Sequence, residues 1–190
     1  MQSIVRACST GEVPAEVAIV VSNRADAAGL EWAATHGIAT AVLPNKDFSS
    51  REAHDGAIVE RLAEARVEWV CLAGYMRLLS PVLIDAFPNR ILNIHPSLLP
   101  SFPGLHGQRD AFDYGVAVSG CTVHFVDLEL DHGPIVVQRT VPVEGCADAD
   151  ELASRILGEE HRAYPNALKR LLSEPWSIGG RRVIFGAEVD

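Results

Sequence analysis

The chain has 190 residues, a formal charge of −9 and a pI near 5.2, with 48% hydrophobic and 22% charged residues. That balance suits one folded domain over 1–190 with a sizeable core and excludes a disordered chain. An acidic surface without a Lys/Arg stripe suits no nucleic-acid backbone, and no apolar run nears the roughly 20 residues that cross a bilayer, so a small-molecule partner is expected.

In chain order, residues 16–23 (EVAIVVSN) read as a buried strand and 25–37 as a helix closed by Gly37. A second strand follows at 38–43. The helix over 49–66 opens on serines suited to an N-cap and repeats Ile58, Val59, Leu62 and Ala65 at helical spacing. Residues 67–74 read as a third strand, 81–87 as a short helix with Pro81 at its start, and 91–95 (ILNIH) as a fourth strand. Two further strands, 119–127 and 134–143, flank the loop LELDHG. A long helix spans 148–172 with a kink or break at Pro165, and 176–185 forms a hairpin on a Gly-Gly turn. This alternation predicts a single α/β domain whose mainly parallel, twisted sheet carries helices on both faces.

Ligands in such sheets bind beyond the carboxyl ends of strands. Gly74 to Leu79, Asn93 with His95, and Asp131 all follow strand ends, so three polar segments are expected to face one crevice. His95 suits general acid–base work, and a carboxylate such as Asp131 would orient it and favour its charged form. Asn93 offers an amide donor to a carbonyl oxygen gaining charge. In an extended strand Asn93 and His95 point to the same side. There is no GxSxG and no Cys beside a His, so one substrate is expected to attack another directly.

Plainer readings compete. Asn and His at strand ends also cap backbone, and Asp131 fits a turn. His106 suits a helix start or a site wall, His124 a structural place inside a strand, and Arg181–Arg182 a solvated hairpin face. Zinc held by His95, His106 and Asp131 fits no ligand spacing, so no metal is expected. The dispersed Cys8, Cys71, Cys121 and Cys146 form no framework, and a reducing cytoplasm is expected.

Five stretches, VSNRADAAGLEWAATHGIAT, LAGYMRLLSP, LNIHPSLLPSFPGLH, GCTVHFVDLELDHGPIV and EEHRAYP, resemble the phosphoribosylglycinamide formyltransferase family over nearly the whole chain. The resemblance implies a Rossmann-like formyltransferase fold. It also implies formyl transfer from 10-formyltetrahydrofolate, as co-substrate and without metal, to glycinamide ribonucleotide in purine biosynthesis and one-carbon metabolism, by a monomer or homodimer. By the same resemblance Asn93, His95 and Asp131 are catalytic. Arg51, Met76, Arg77, Leu78, Leu79, Asn93, Asp127 and Leu130 face the folate, and Gly74, Met76, Pro96 and Glu160 face the ribonucleotide. Pro96, Pro100 and Pro103 then read as a brace for the catalytic strand end.

The family opens with an apolar strand and a Gly/Ser/Asn-rich phosphate loop, whereas MQSIVRAC resembles the helix that follows them. The resemblance thus implies a missing N-terminal strand, neighbours with unpaired backbone, and a start lying upstream. A formyltetrahydrofolate hydrolase is the nearest alternative, but that family carries a second His after the catalytic one where this chain has Pro96-Ser97-Leu98. A methionyl-tRNA formyltransferase would add a C-terminal domain and a basic surface. A non-catalytic, truncated folate-binding paralogue is the remaining alternative.

Overall fold

Strand β4 (Ile91–His95) divides the molecule, because its side chains alternate between two apolar clusters. Ile91 packs with Ile58, Leu62, Leu79, Leu83 and Phe87 on one face. Leu92 packs with Val123, Phe125, Leu152, Ile156 and Leu168 on the other. The computed structural model describes residues 1–186. The first cluster lies under α3 (Arg51–Glu64) and α4 (Pro81–Ala86), and the second under α1 (Gln2–Ser9) and α6 (Ala149–Ser173). Helices α2 (Ala28–Thr35) and α5 (Gly107–Tyr114) complete the set.

Local chemistry sets several boundaries. Ser50 Oγ accepts from Ala53 N–H at 3.1 Å and starts α3, and an Asp148 carboxylate oxygen does the same for Glu151 N–H at 2.8 Å in α6. Gly37 and Gly115 close α2 and α5 with positive φ. Helix α5 occupies a stretch whose sequence pattern marks no element beyond the expected start at His106, since GQRDAFDY carries few apolar residues. Pro165 neither breaks nor ends α6, which runs unbroken to Ser173. Pro165 is itself buried, as are Ala163, Tyr164 and Ala167, and the carbonyl its missing N–H would have bonded belongs to exposed His161.

The sheet is mixed rather than mainly parallel. Strands β1 (Ile19–Ser22) and β2 (Ala39–Val42) form a parallel pair on their own. The second sheet runs β3-β4-β5-β6-β8-β7, from β3 (Val70–Cys71), β5 (Val118–Phe125), β6 (Ile135–Pro142), β7 (Trp176–Gly179) and β8 (Arg182–Phe185). Here β3 and β4 are parallel, while β4/β5 and β5/β6 are antiparallel. The short connection between β5 and β6 permits only antiparallel neighbours, because a parallel crossover needs a dozen or more residues. The hairpin turns on Gly180–Arg181, since Gly179 already pairs with Arg182.

The expected strand over 67–74 shrinks to two residues in β3. Its free edge and that of β1 line a cavity of about 620 Å³, between Val17–Ser22 on one side and Trp69–Gly74 on the other, with Met1, Leu168 and Leu172 also in the wall.

On α3, Asp55 is fully buried and its Oδ2 accepts from Ser80 N–H at 2.6 Å, tying the loop 75–80 to the helix. Asp55→Ala leaves that amide unpartnered. It is expected to cost about 1–3 kcal/mol in urea denaturation, the usual penalty for an orphaned buried donor; an unchanged midpoint contradicts the anchor.

Candidate active site

Asn93 and His95 lie on the same face of β4, and the antiparallel register sets them opposite His124 and Thr122 of β5. His95 is 4% exposed. Its Nε2–H donates to the Phe102 carbonyl at 2.8 Å, which leaves Nδ1 turned to Asp131 Oδ2 at 3.4 Å. Asp131 sits in the turn its sequence suggested, with φ 51°, and also fronts the histidine. Its Oδ2 accepts from Gly104 N–H at 2.8 Å, so one carboxylate joins the loop after β5 to the loop after β4.

The brace under this strand end is more polar than the prolines imply. Thr122 Oγ1 donates to the Ser97 carbonyl at 2.7 Å and accepts from Leu99 N–H at 3.0 Å. Gln138 Nε2 donates to Thr122 Oγ1 at 3.0 Å and to the Leu99 carbonyl at 2.9 Å. Two β-sheet residues thereby hold the loop 96–101. Close approach does the rest. A Cβ on Gly107 would stand 3.1 Å from His95 Nε2 and 3.0 Å from the Phe102 oxygen. One on Gly133 would stand 1.9 Å from the Phe125 oxygen, so the loop carrying Asp131 leaves the sheet only with glycine there.

Sequence reasoning missed Thr122, Gln138, Gly107 and Gly133, because each acts through a partner distant in the chain. It also set His124 aside as structural. His124 is 2% exposed, with Nδ1 2.7 Å from the Phe125 carbonyl and Nε2 3.4 Å from Asn93 Nδ2. Burial is the main cause that holds its pKa below the ordinary histidine value, with the Phe125 carbonyl and Asp131 pulling the other way.

The remaining expected residues spread around this centre. Met76 and Leu78 are exposed at 73% and 55%, whereas the Leu79 side chain turns into the α3/α4 cluster. Arg77 and Pro96 are half-buried, and Leu130 is exposed. Asp127 pairs with His132 Nδ1 at 2.9 Å and accepts from Glu129 N–H at 3.0 Å, which folds the loop back on itself. It lines a second cavity, about 380 Å³, with Ile84, Pro88, Val126 and Leu128. Arg51 is exposed at the first turn of α3 beside Glu52, 3.6 Å away. His106 is exposed at the start of α5.

Gly74 takes φ 70° and lines the larger cavity with Met1. Burial raises the pKa of Glu160, and the Met1 amino group beside it opposes the rise. A carboxyl whose folded pKa is raised favours folding most below its ordinary value of 4.5, and that contribution is lost as pH rises through the folded value. Glu160→Gln is therefore expected to melt above the parent at pH 8, with the gap closing as pH falls toward 4.5. A gap that widens in acid contradicts the burial.

Comparison with known proteins places these features in a family. Residues 1–168 match the formyl transferase model. Over 181 residues the chain is 44% identical to the phosphoribosylglycinamide formyltransferase of Escherichia coli (strain K12), covering 95% of this chain and 82% of that protein. It is 49% identical over 161 residues to the trifunctional purine biosynthetic protein adenosine-3 of Drosophila pseudoobscura pseudoobscura, covering 85% of this chain and 12% of that much longer protein. The crystal structure of glycinamide ribonucleotide transformylase 1 from Symbiobacterium toebii superposes with a TM-score of 0.94 at 50% identity, covering 97% of this chain and 87% of that one.

Proposed function

Because this chain belongs to the formyl transferase family, we propose that it carries a formyl group from 10-formyltetrahydrofolate to the primary amine of glycinamide ribonucleotide. The chain is an enzyme of the formyltransferase class. The acceptor, the donor, the cytoplasmic setting and the residue roles are our reading. The observation that carries it is Asp131 Oδ2 standing 3.4 Å from His95 Nδ1, with Asn93 two residues earlier on the same strand face.

The roles follow from donors and acceptors. The amine lone pair attacks the formyl carbon, and the carbonyl electrons move onto oxygen. Asn93 Nδ2–H and His95 Nδ1–H donate to that oxygen as it gains charge. Asp131 takes the amine proton, through water, and returns it to the folate nitrogen as the carbonyl reforms and the carbon–nitrogen bond to folate breaks. Atoms and charge balance without a covalent enzyme intermediate. His95 Nε2 stays committed to the Phe102 carbonyl, which fixes the ring while Nδ1 works. The cavity beside Asp127 pairs apolar walls from Ile84, Val126 and Leu128 with a polar edge, a match for a flat heterocycle with hydrogen-bonding groups on its rim.

Incubating 10-formyltetrahydrofolate with the chain, with and without glycinamide ribonucleotide, tests the reading. Folate release that needs the amine and yields formylated ribonucleotide supports the transferase. Release without the amine, as formate, supports a hydrolase and overturns it.

A further inference from the structure

Asn93 can present either end of its amide to a substrate oxygen, and only the nitrogen end donates. Nothing in β4 itself decides between them. The neighbour that can is His124, directly across the ladder on β5 and closed off from solvent. Its Nδ1 lies 2.7 Å from the Phe125 carbonyl oxygen, which can only accept, so Nδ1 carries a proton. The one proton of a neutral ring is thereby spent on the inner side. Nε2 then holds a lone pair, and the atom facing it at 3.4 Å is Asn93 Nδ2. A reversed amide would set oxygen against that lone pair.

Resting on the formyl-transfer reading above, we propose that His124 is a positioning residue: its bare Nε2 accepts one Asn93 N–H and thereby aims the other at the formyl oxygen. Two more groups bear on the ring. Asp131 Oδ1 lies 3.9 Å from Nε2, and His95 stands on the far side of that carboxylate. A proton on Nε2 would turn the ring from acceptor to donor, toward Asp131, and release the amide. Burial works against that proton. His124 thus acts on the site through Asn93, without facing substrate itself.

Substitutions that imitate one ring nitrogen at a time separate this role from packing. His124→Asn can keep the inner bond to the Phe125 carbonyl but offers nothing to Asn93. His124→Gln reaches Asn93 with an amide oxygen. Loss of one oriented oxyanion donor is worth ~10²-fold, and partial loss of aim should cost His124→Asn about 10- to 50-fold in kcat with KM within about twofold. His124→Gln should retain kcat within about threefold. In an Asn93→Ala background His124→Asn should change kcat no further, because there is no amide left to aim. A fully active His124→Asn, or losses that multiply in the double variant, overturns the proposal.

One readout needs no turnover. In the 15N spectrum of histidine-labelled parent protein, His124 should show a protonated Nδ1 and a bare Nε2 at pH 7.5; the opposite tautomer overturns the proposal even where a variant fails to fold. An inactive parent protein counts against the formyl-transfer reading, whereas an active one with the wrong variant pattern counts against His124 alone.

Discussion

Asn93→Ala is expected to lower kcat by about 10²- to 10³-fold with KM for both substrates nearly unchanged. In the proposed mechanism the asparagine amide donates to an oxygen whose charge exists only after the amine has attacked, so its loss should raise the barrier without weakening the ground state. The strand supports a clean test. Asn93 is half-buried within the β4/β5 ladder, between the paired Leu92 and Ile94, and its side chain contributes nothing to either apolar cluster. Loss of its bond to the buried His124 Nε2 is expected to lower stability by about 1 kcal/mol beside the kinetic loss. A kcat within about threefold of the parent would remove Asn93 from charge stabilisation.

Asp131→Asn should cost about 10²-fold or more in kcat, for a different reason. The amide still accepts from Gly104 N–H, so the tie between the two loops persists. What disappears is the charge facing His95 Nδ1 and, in the proposed mechanism, the base that carries the amine proton. Asp131→Ala removes both, and its extra effect beyond Asp131→Asn reports the tie together with the poorer fit of alanine to the left-handed backbone at φ 51°. Equal activity of Asp131→Asn and parent would leave the carboxylate with only the structural task. Combined with Asn93→Ala, Asp131→Asn should lose less than the product of the two factors, since both act on one transition state.

Strand β4 was the most legible part of the sequence. ILNIH opens on two apolar residues and alternates from Leu92 to His95, over a length typical of a strand, and β4 spans those five residues. Helix α3 was equally plain, because Ser50 and the Ile58/Leu62 spacing are local signals. What the sequence hid depends on pairing between distant segments. The parallel pattern of the first half does not reveal that β5 turns the sheet antiparallel. Within β5, the run CTVHFVD makes His124 look like one more alternating residue. Its meaning comes from standing opposite Asn93, which only the register supplies. Gly133 is similar, required by the Phe125 carbonyl at the other end of its loop, and a Cβ on Gly107 would crowd His95 and Phe102. The two-residue β3 is short because one of its edges faces the cavity beside β1 and has no ladder to extend it.

A single-turnover quench with a donor labelled in the formyl carbon tests the central claim most directly. Enzyme in excess is mixed with labelled 10-formyltetrahydrofolate and glycinamide ribonucleotide, and label is counted in folate, ribonucleotide, formate and protein over time. The account predicts label passing from folate to ribonucleotide at one rate, with none held on the protein and none lost as formate. Protein-bound label that rises and falls at the rate of product formation, or label leaving as formate, would contradict direct attack by the amine.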